Sequence, residues 1–105
     1  MAKPKFSLSA VPTFKASVSI PVAGGKPAVI EVTFKHRTRD AYKDFIEKLA
    51  DRDDVEVLLD IASGWDLDDP FDADSLEELT QNYIGSALAI INVYIDELTR
   101  ARVKN

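Results

Sequence analysis

The sequence predicts an α+β fold, an N-terminal antiparallel β-hairpin followed by a helical half. Three observations carry that prediction. Apolar and polar residues alternate in two stretches within the first 35 residues. A cluster of Pro and Gly separates those stretches. Beyond residue 39 the apolar period lengthens from two residues to that of a helix.

Each element can be justified in order. Residues 1–12, with two prolines and scattered serines, read as a flexible arm ahead of one domain spanning 13–105. Phe14, Ala16, Val18 and Ile20 then face one way, with Lys15, Ser17 and Ser19 facing the other. That is a half-buried strand. The stretch PVAGGKP supplies the turn, and Ala28, Ile30, Val32 and Phe34 resume the alternation. The hairpin is expected over about 14–36, and it needs the helices or another chain to pack on.

Tyr42, Phe45, Ile46 and Leu49 form the apolar stripe of a helix over about 39–50, with Thr38 as its N-cap. Val55, Leu58, Leu59 and Ala62 suggest a second helix over about 54–63, stopped at Gly64. Val55, Val57 and Leu59 also alternate, so a short strand is the alternative. Helix is preferred because Glu56 and Asp60 lie four apart on one polar face. A third helix, about 73–83, has two candidate starts. Asp72 can cap it, with Phe71 and Leu76 as a hydrophobic staple, or Asp74 and Glu77 can form a capping box. Its inner stripe is Leu76, Leu79 and Tyr83. The last helix, about 84–103, should bury Ile84, Ala87, Leu88, Ile91, Tyr94, Ile95 and Leu98, with Ala89, Ile90 and Val93 widening that face. Arg100, Arg102 and Lys104 at its end complement the helix dipole.

Composition narrows the functional classes. The absence of cysteine removes disulfides, thiolate metal sites and thiol catalysis. No apolar run has the roughly 20 residues of a membrane span, and the N-terminus lacks the apolar core of a signal peptide, so a cytoplasmic protein is expected. The net charge of −5 is uneven: +6 over residues 1–39, −14 over 40–99 and +3 in the last six residues. Such asymmetry suits partner steering or head-to-tail self-association, although a solvated helical half accounts for much of it.

Chemistry has few carriers. His36, the one histidine, stands at a strand end with no motif around it. Gly24-Gly25 lies between strands and not before a helix, so it is no phosphate cradle. The stretch SGWDLDDPFDADSLEEL tempts a calcium reading. From Asp66, position 3 is Asp68 and position 12 is Glu77. Position 5, however, is Pro70, and the glycine position is Phe71. No catalytic, cofactor or metal residues are assigned. Direct nucleic-acid binding is disfavoured by the acidic surface. Trp65 reads as a half-buried aromatic ending a helix, as a partner-contact anchor beside an exposed Pro-Phe, or as both.

The order of features is recognisable. Phe34 and Arg37 close the hairpin, followed by Trp65-Asp66, an acidic loop and Pro70-Phe71. A helix with Leu76 and Leu79 comes next, then a last helix with Tyr94 and a Lys104-Asn105 end. Over roughly residues 14–105 this resembles the tail assembly chaperones of long-tailed, siphovirus-type bacteriophages. Ile84-Gly85 stands where many relatives have a proline, which implies a local change in the helix joint.

The resemblance implies a non-enzymatic protein. It would bind the phage tape measure protein, keep it soluble and recruit major tail tube subunits. It would act in the host cytoplasm and be absent from the mature virion. A longer frameshifted form and a head-to-tail oligomer are further expected partners, with no nucleic acid and no membrane. The expected partner-binding residues are Trp65, Asp66, Asp68, Asp69, Pro70 and Phe71, with Phe34 and Arg37. An acidic inhibitor that mimics DNA, or a structural tail connector or terminator, are the alternatives.

Overall fold

A computed structural model describes residues 6–99. The first five residues of the expected arm lie outside them, and Phe6–Pro12 form no helix or strand. Strand β1 (Thr13–Ile20) pairs antiparallel with β2 (Ala28–Lys35). The register sets Phe14 opposite Phe34, Ala16 opposite Val32 and Val18 opposite Ile30. Residues paired in this way share a face of the sheet, so the alternation in the sequence becomes one apolar face. The loop between the strands turns through Gly24, whose φ of 76° is open to glycine and strained for other residues. Past the strands, the His36 N–H donates to the Pro12 carbonyl and lengthens the ladder.

Helix α1 (Arg39–Lys48) starts where Thr38 Oγ1 accepts from the Ala41 N–H, and a 3₁₀ turn at Leu49–Asp51 follows it. Of its predicted stripe, Phe45 is buried, Tyr42 and Leu49 are half-buried, and Ile46 is exposed at the margin. Helix α2 (Asp54–Ile61) is capped by Asp53, whose carboxylate accepts from the Val55 and Glu56 N–H groups. Its buried side is Val57, Leu58 and Ile61. Leu59, assigned to the stripe, points outward instead.

The second helix does not run to residue 63, and Gly64 does not stop it. The helix ends at Ile61, and the next residue opens a third strand, β3 (Ala62–Trp65). Ala62 has the extended φ and ψ of −132° and 157° while its N–H still bonds the Leu58 carbonyl. Strand β3 is antiparallel to β2 and gives a sheet of order β1-β2-β3. Trp65 lies opposite Val32 and Ala62 opposite Phe34, with an irregularity that leaves Ser63 without a partner. The reason is long-range. The edge of β2 offers unpaired backbone groups, and a chain leaving α2 beside it satisfies them.

Helix α3 (Ala73–Asn82) takes the first of its two candidate starts, with Asp72 Oδ1 accepting from the Ser75 N–H at 2.9 Å. Leu76 is fully buried and Leu79 half-buried, but Tyr83 is 39% exposed. Helix α4 (Ser86–Thr99) starts at Ser86 and not at Ile84. Residues 83–85 turn, with the Ser86 N–H donating to the Tyr83 carbonyl. Gly85 packs against Pro21, just past β1, so closely that a Cβ there would sit 3.2 Å from Pro21 Cγ. The buried face of α4 is Ala87, Ile90, Ile91 and Tyr94. Ile84 and Leu88, assigned to that face, are 92% and 64% exposed. A helix apolar on most sides leaves its orientation to its neighbours, and here β1 and the aromatic cluster decide it. The expected continuation to 103, with Arg100, Arg102 and Lys104, lies outside the described residues.

One apolar core joins the sheet to all four helices. At its centre Tyr94 touches three phenylalanines, with ring centroids 6.2 Å from Phe14, 5.3 Å from Phe34 and 5.8 Å from Phe45. Burying an aromatic ring of this size contributes about 1.5–3 kcal/mol.

Candidate partner-binding surface

Strand β3 ends at Trp65, so the sheet fixes where the following acidic loop begins. Asp66 extends the pairing beyond the strand. Its N–H donates to the Glu31 carbonyl at 3.1 Å, and its Oδ1 accepts from the Glu31 N–H at 3.0 Å. The carboxylate thus replaces a backbone acceptor at the end of the ladder. The loop then folds back over the indole. Trp65 Nε1 donates to the Asp69 carbonyl at 2.8 Å, and Phe71 meets the ring edge-on at 5.0 Å. A half-buried indole needs an acceptor for its N–H, and here the loop supplies one.

This geometry sorts the residues expected to contact a partner. Trp65 and Phe71 come together and are half-buried against the core. Asp68, Asp69 and Pro70 are exposed on the loop, while Asp66 is held by the sheet. Phe34 and Arg37 do not join them. Phe34 is 0% exposed and part of the aromatic cluster. Arg37 lies past the other end of the β2–β3 pairing.

Arg37 belongs to a different constellation. It pairs with Asp60, and its guanidinium lies 4.7 Å from the centre of the Phe45 ring. Arg52 bonds the same Asp60 oxygen at 2.8 Å and reaches Glu56 at 3.4 Å. Partial burial raises the Asp60 pKa, but hydrogen bonds from Arg52 and Arg37 and their charges outweigh it, so the carboxyl lies below its ordinary value. The hydrogen bond from Arg52 to Asp60 raises the Arg52 pKa in turn. These contacts tie the segment after β2 to α1 and α2.

Sequence reasoning missed a cleft. A hollow of about 240 Å³ lies beside the loop, with Trp65, Leu67 and Asp69 on one wall. Ser75, Glu78, Leu79, Asn82 and Tyr83 form the other. A second hollow of about 250 Å³ shares Asn82 and Tyr83 and extends to Ile84, Val22 and Pro21. Leu67 and Tyr83 are 37% and 39% exposed, and Tyr83 lines both hollows. A leucine set among aspartates in DLDD was the available signal for Leu67. Among the described residues, none of Asp68, Asp69, Asp74 or Glu78 pairs with a cation.

Comparison with protein families settles the class. A family described as phage tail assembly chaperone matches residues 1–105, the whole chain. The chain belongs to the phage tail assembly chaperone family. Comparison with curated proteins gave no match, and comparison with solved structures gave none. Family membership makes the chaperone an assembly factor with tail proteins as its partners in general. No described helix of the chaperone is long and apolar enough to cross a membrane.

Proposed function

We propose that this chaperone binds the phage tape measure protein, keeps it soluble and brings tail tube subunits to it. Its role is non-enzymatic, and it leaves before the particle is complete, acting in the host cytoplasm. A longer frameshifted form and head-to-tail contact between copies belong to the same proposal.

One observation supports this reading above the others. A chain of this family carries a half-buried tryptophan beside an open cleft that mixes Leu67, Leu79 and Tyr83 with polar side chains and has an acidic residue on each wall. A protein that shields exposed apolar helices needs apolar anchors within a charged, soluble rim. It must also release its client, which suits a modest interface over a large dry one. Trp65 with Leu67 and Tyr83 supplies anchors, and Asp68 and Asp69 supply rim.

The test is retention of the purified tape measure protein on immobilised chaperone. The wild-type chain should retain it. A Trp65→Ala, Phe71→Ala pair should retain several-fold less, with the helical circular dichroism signal preserved. Failure of the wild-type chain to retain the tape measure protein would contradict the proposal.

A further inference from the structure

The cleft has a shape, a charge and a length. On α3 its wall is Ser75, Glu78, Leu79 and Asn82. Those positions are i, i+3, i+4 and i+7, one face of a helix over two turns, roughly 10 Å long. Trp65 and Leu67 form the facing wall. A trough with a helix for one wall, and Trp65 and Leu67 beside Asp69 for the other, fits a second helix of mixed apolar and charged face laid along it. Helix-in-groove recognition uses anchors at this same spacing.

Charge defines the visitor further. Arg52 is the last Lys or Arg before residue 100, so residues 53–99 contain none. The same stretch holds 13 Asp and Glu. Asp69 on one wall and Glu78 on the other therefore face the trough with no cation of that stretch near them in sequence. A helix with an acidic flank is repelled, and a neutral one gains nothing from this field.

We infer that the cleft between Trp65 and α3 docks a cationic amphipathic helix, with two or three apolar side chains inserted and Lys or Arg along both flanks. The tape measure reading above supplies the biological source of such a helix, and the inference rests on it for that source alone. Its chemistry comes from the cleft. Attraction across exposed carboxylates is screened over about 8–10 Å at physiological salt. Binding is therefore salt-sensitive.

The chain's single tryptophan lies in the cleft wall and reports occupancy. The test titrates the full chain with a Leu/Lys amphipathic peptide of about 18 residues, long enough to form a helix on docking, and with its Leu/Glu counterpart. The Leu/Lys peptide should shift Trp65 emission and bind about tenfold more weakly between 50 and 300 mM salt. The Leu/Glu peptide should not bind. The Asp69→Lys, Glu78→Lys variant should lose about tenfold in affinity with unchanged circular dichroism. Leu67→Ser should weaken binding without changing its salt dependence.

Equal binding of both peptides, or no effect of the charge-reversal pair, would overturn the inference. So would a concentration-dependent Trp65 shift with sedimentation of a dimer or larger species that the peptide cannot displace, since a second copy would then fill the cleft. The tape measure protein separates the two proposals. If wild type and the charge-reversal variant retain it equally, the cleft is not the site, although the chaperone reading stands. If neither retains it and the Leu/Lys peptide still binds at the cleft, the chaperone reading fails and the site remains.

Discussion

The Tyr94 hydroxyl donates a 2.8 Å hydrogen bond to the Lys35 carbonyl, joining the last helix to the end of β2 across 59 residues. The ring beneath it closes the aromatic cluster, so one residue supplies packing and a polar tie together. Tyr94→Phe keeps the ring and removes the donor. It should lower stability by about 1 kcal/mol, read as a lower urea midpoint with unchanged slope. Tyr94→Ala also opens a cavity and should cost about 3–5 kcal/mol.

The same tyrosine sets an alkaline limit. Burial pushes its pKa up to about 12; Arg37 pulls it down less than burial and Asp60 raise it. The unfolded chain ionises this phenol near the ordinary value of 10.0. The stabilisation is therefore complete below pH 10 and lost as pH rises towards 12. Denaturant midpoints should fall across that window in the wild-type chain and much less in Tyr94→Phe.

Asp60 acts at the opposite end of the scale. Its pKa is lowered from the ordinary 3.8 in the folded protein. Its contribution is present above that value and lost as pH falls through the lower folded pKa. The site is part-exposed, so Asp60→Asn should cost only about 1 kcal/mol at pH 7. The acid limb of the midpoint-versus-pH curve should flatten accordingly. An unchanged limb would assign acid sensitivity to other carboxylates.

Asp66 should matter more locally than globally. Asp66→Ala leaves the Glu31 N–H without its side-chain acceptor while the backbone bond from Asp66 remains. The expected loss is about 1 kcal/mol. The sharper reading is amide exchange: the Glu31 N–H should exchange faster, and Trp65 emission should move to longer wavelength as the loop loosens.

How legible was this molecule? Strands β1 and β2 were plain because period 2 is written in adjacent residues. The caps at Thr38 and Asp72 were legible for the same reason, since each bonds an N–H three residues on. Strand β3 was not. Ala62, Ser63 and Gly64 have little strand propensity, and what makes them a strand is the edge of β2, thirty residues earlier. The buried faces of α2 and α4 were rotated for a related reason. Val57 and Leu59 are both apolar, and so are Leu88 and Ile90, so periodicity alone does not choose between them. At the candidate site, Trp65 and Phe71 could be paired by their flanking of an acidic loop. The cleft wall from α3 could not, because it exists only once that helix packs beside β3.

Shielding of a tape measure protein is the proposed role of this chain. The most direct measurement is co-expression of the two, with the tape measure protein quantified in soluble and pelleted fractions. The soluble fraction should rise several-fold with the wild-type chain and by less with the Trp65→Ala, Phe71→Ala pair. The same soluble fraction with and without the wild-type chain would contradict it.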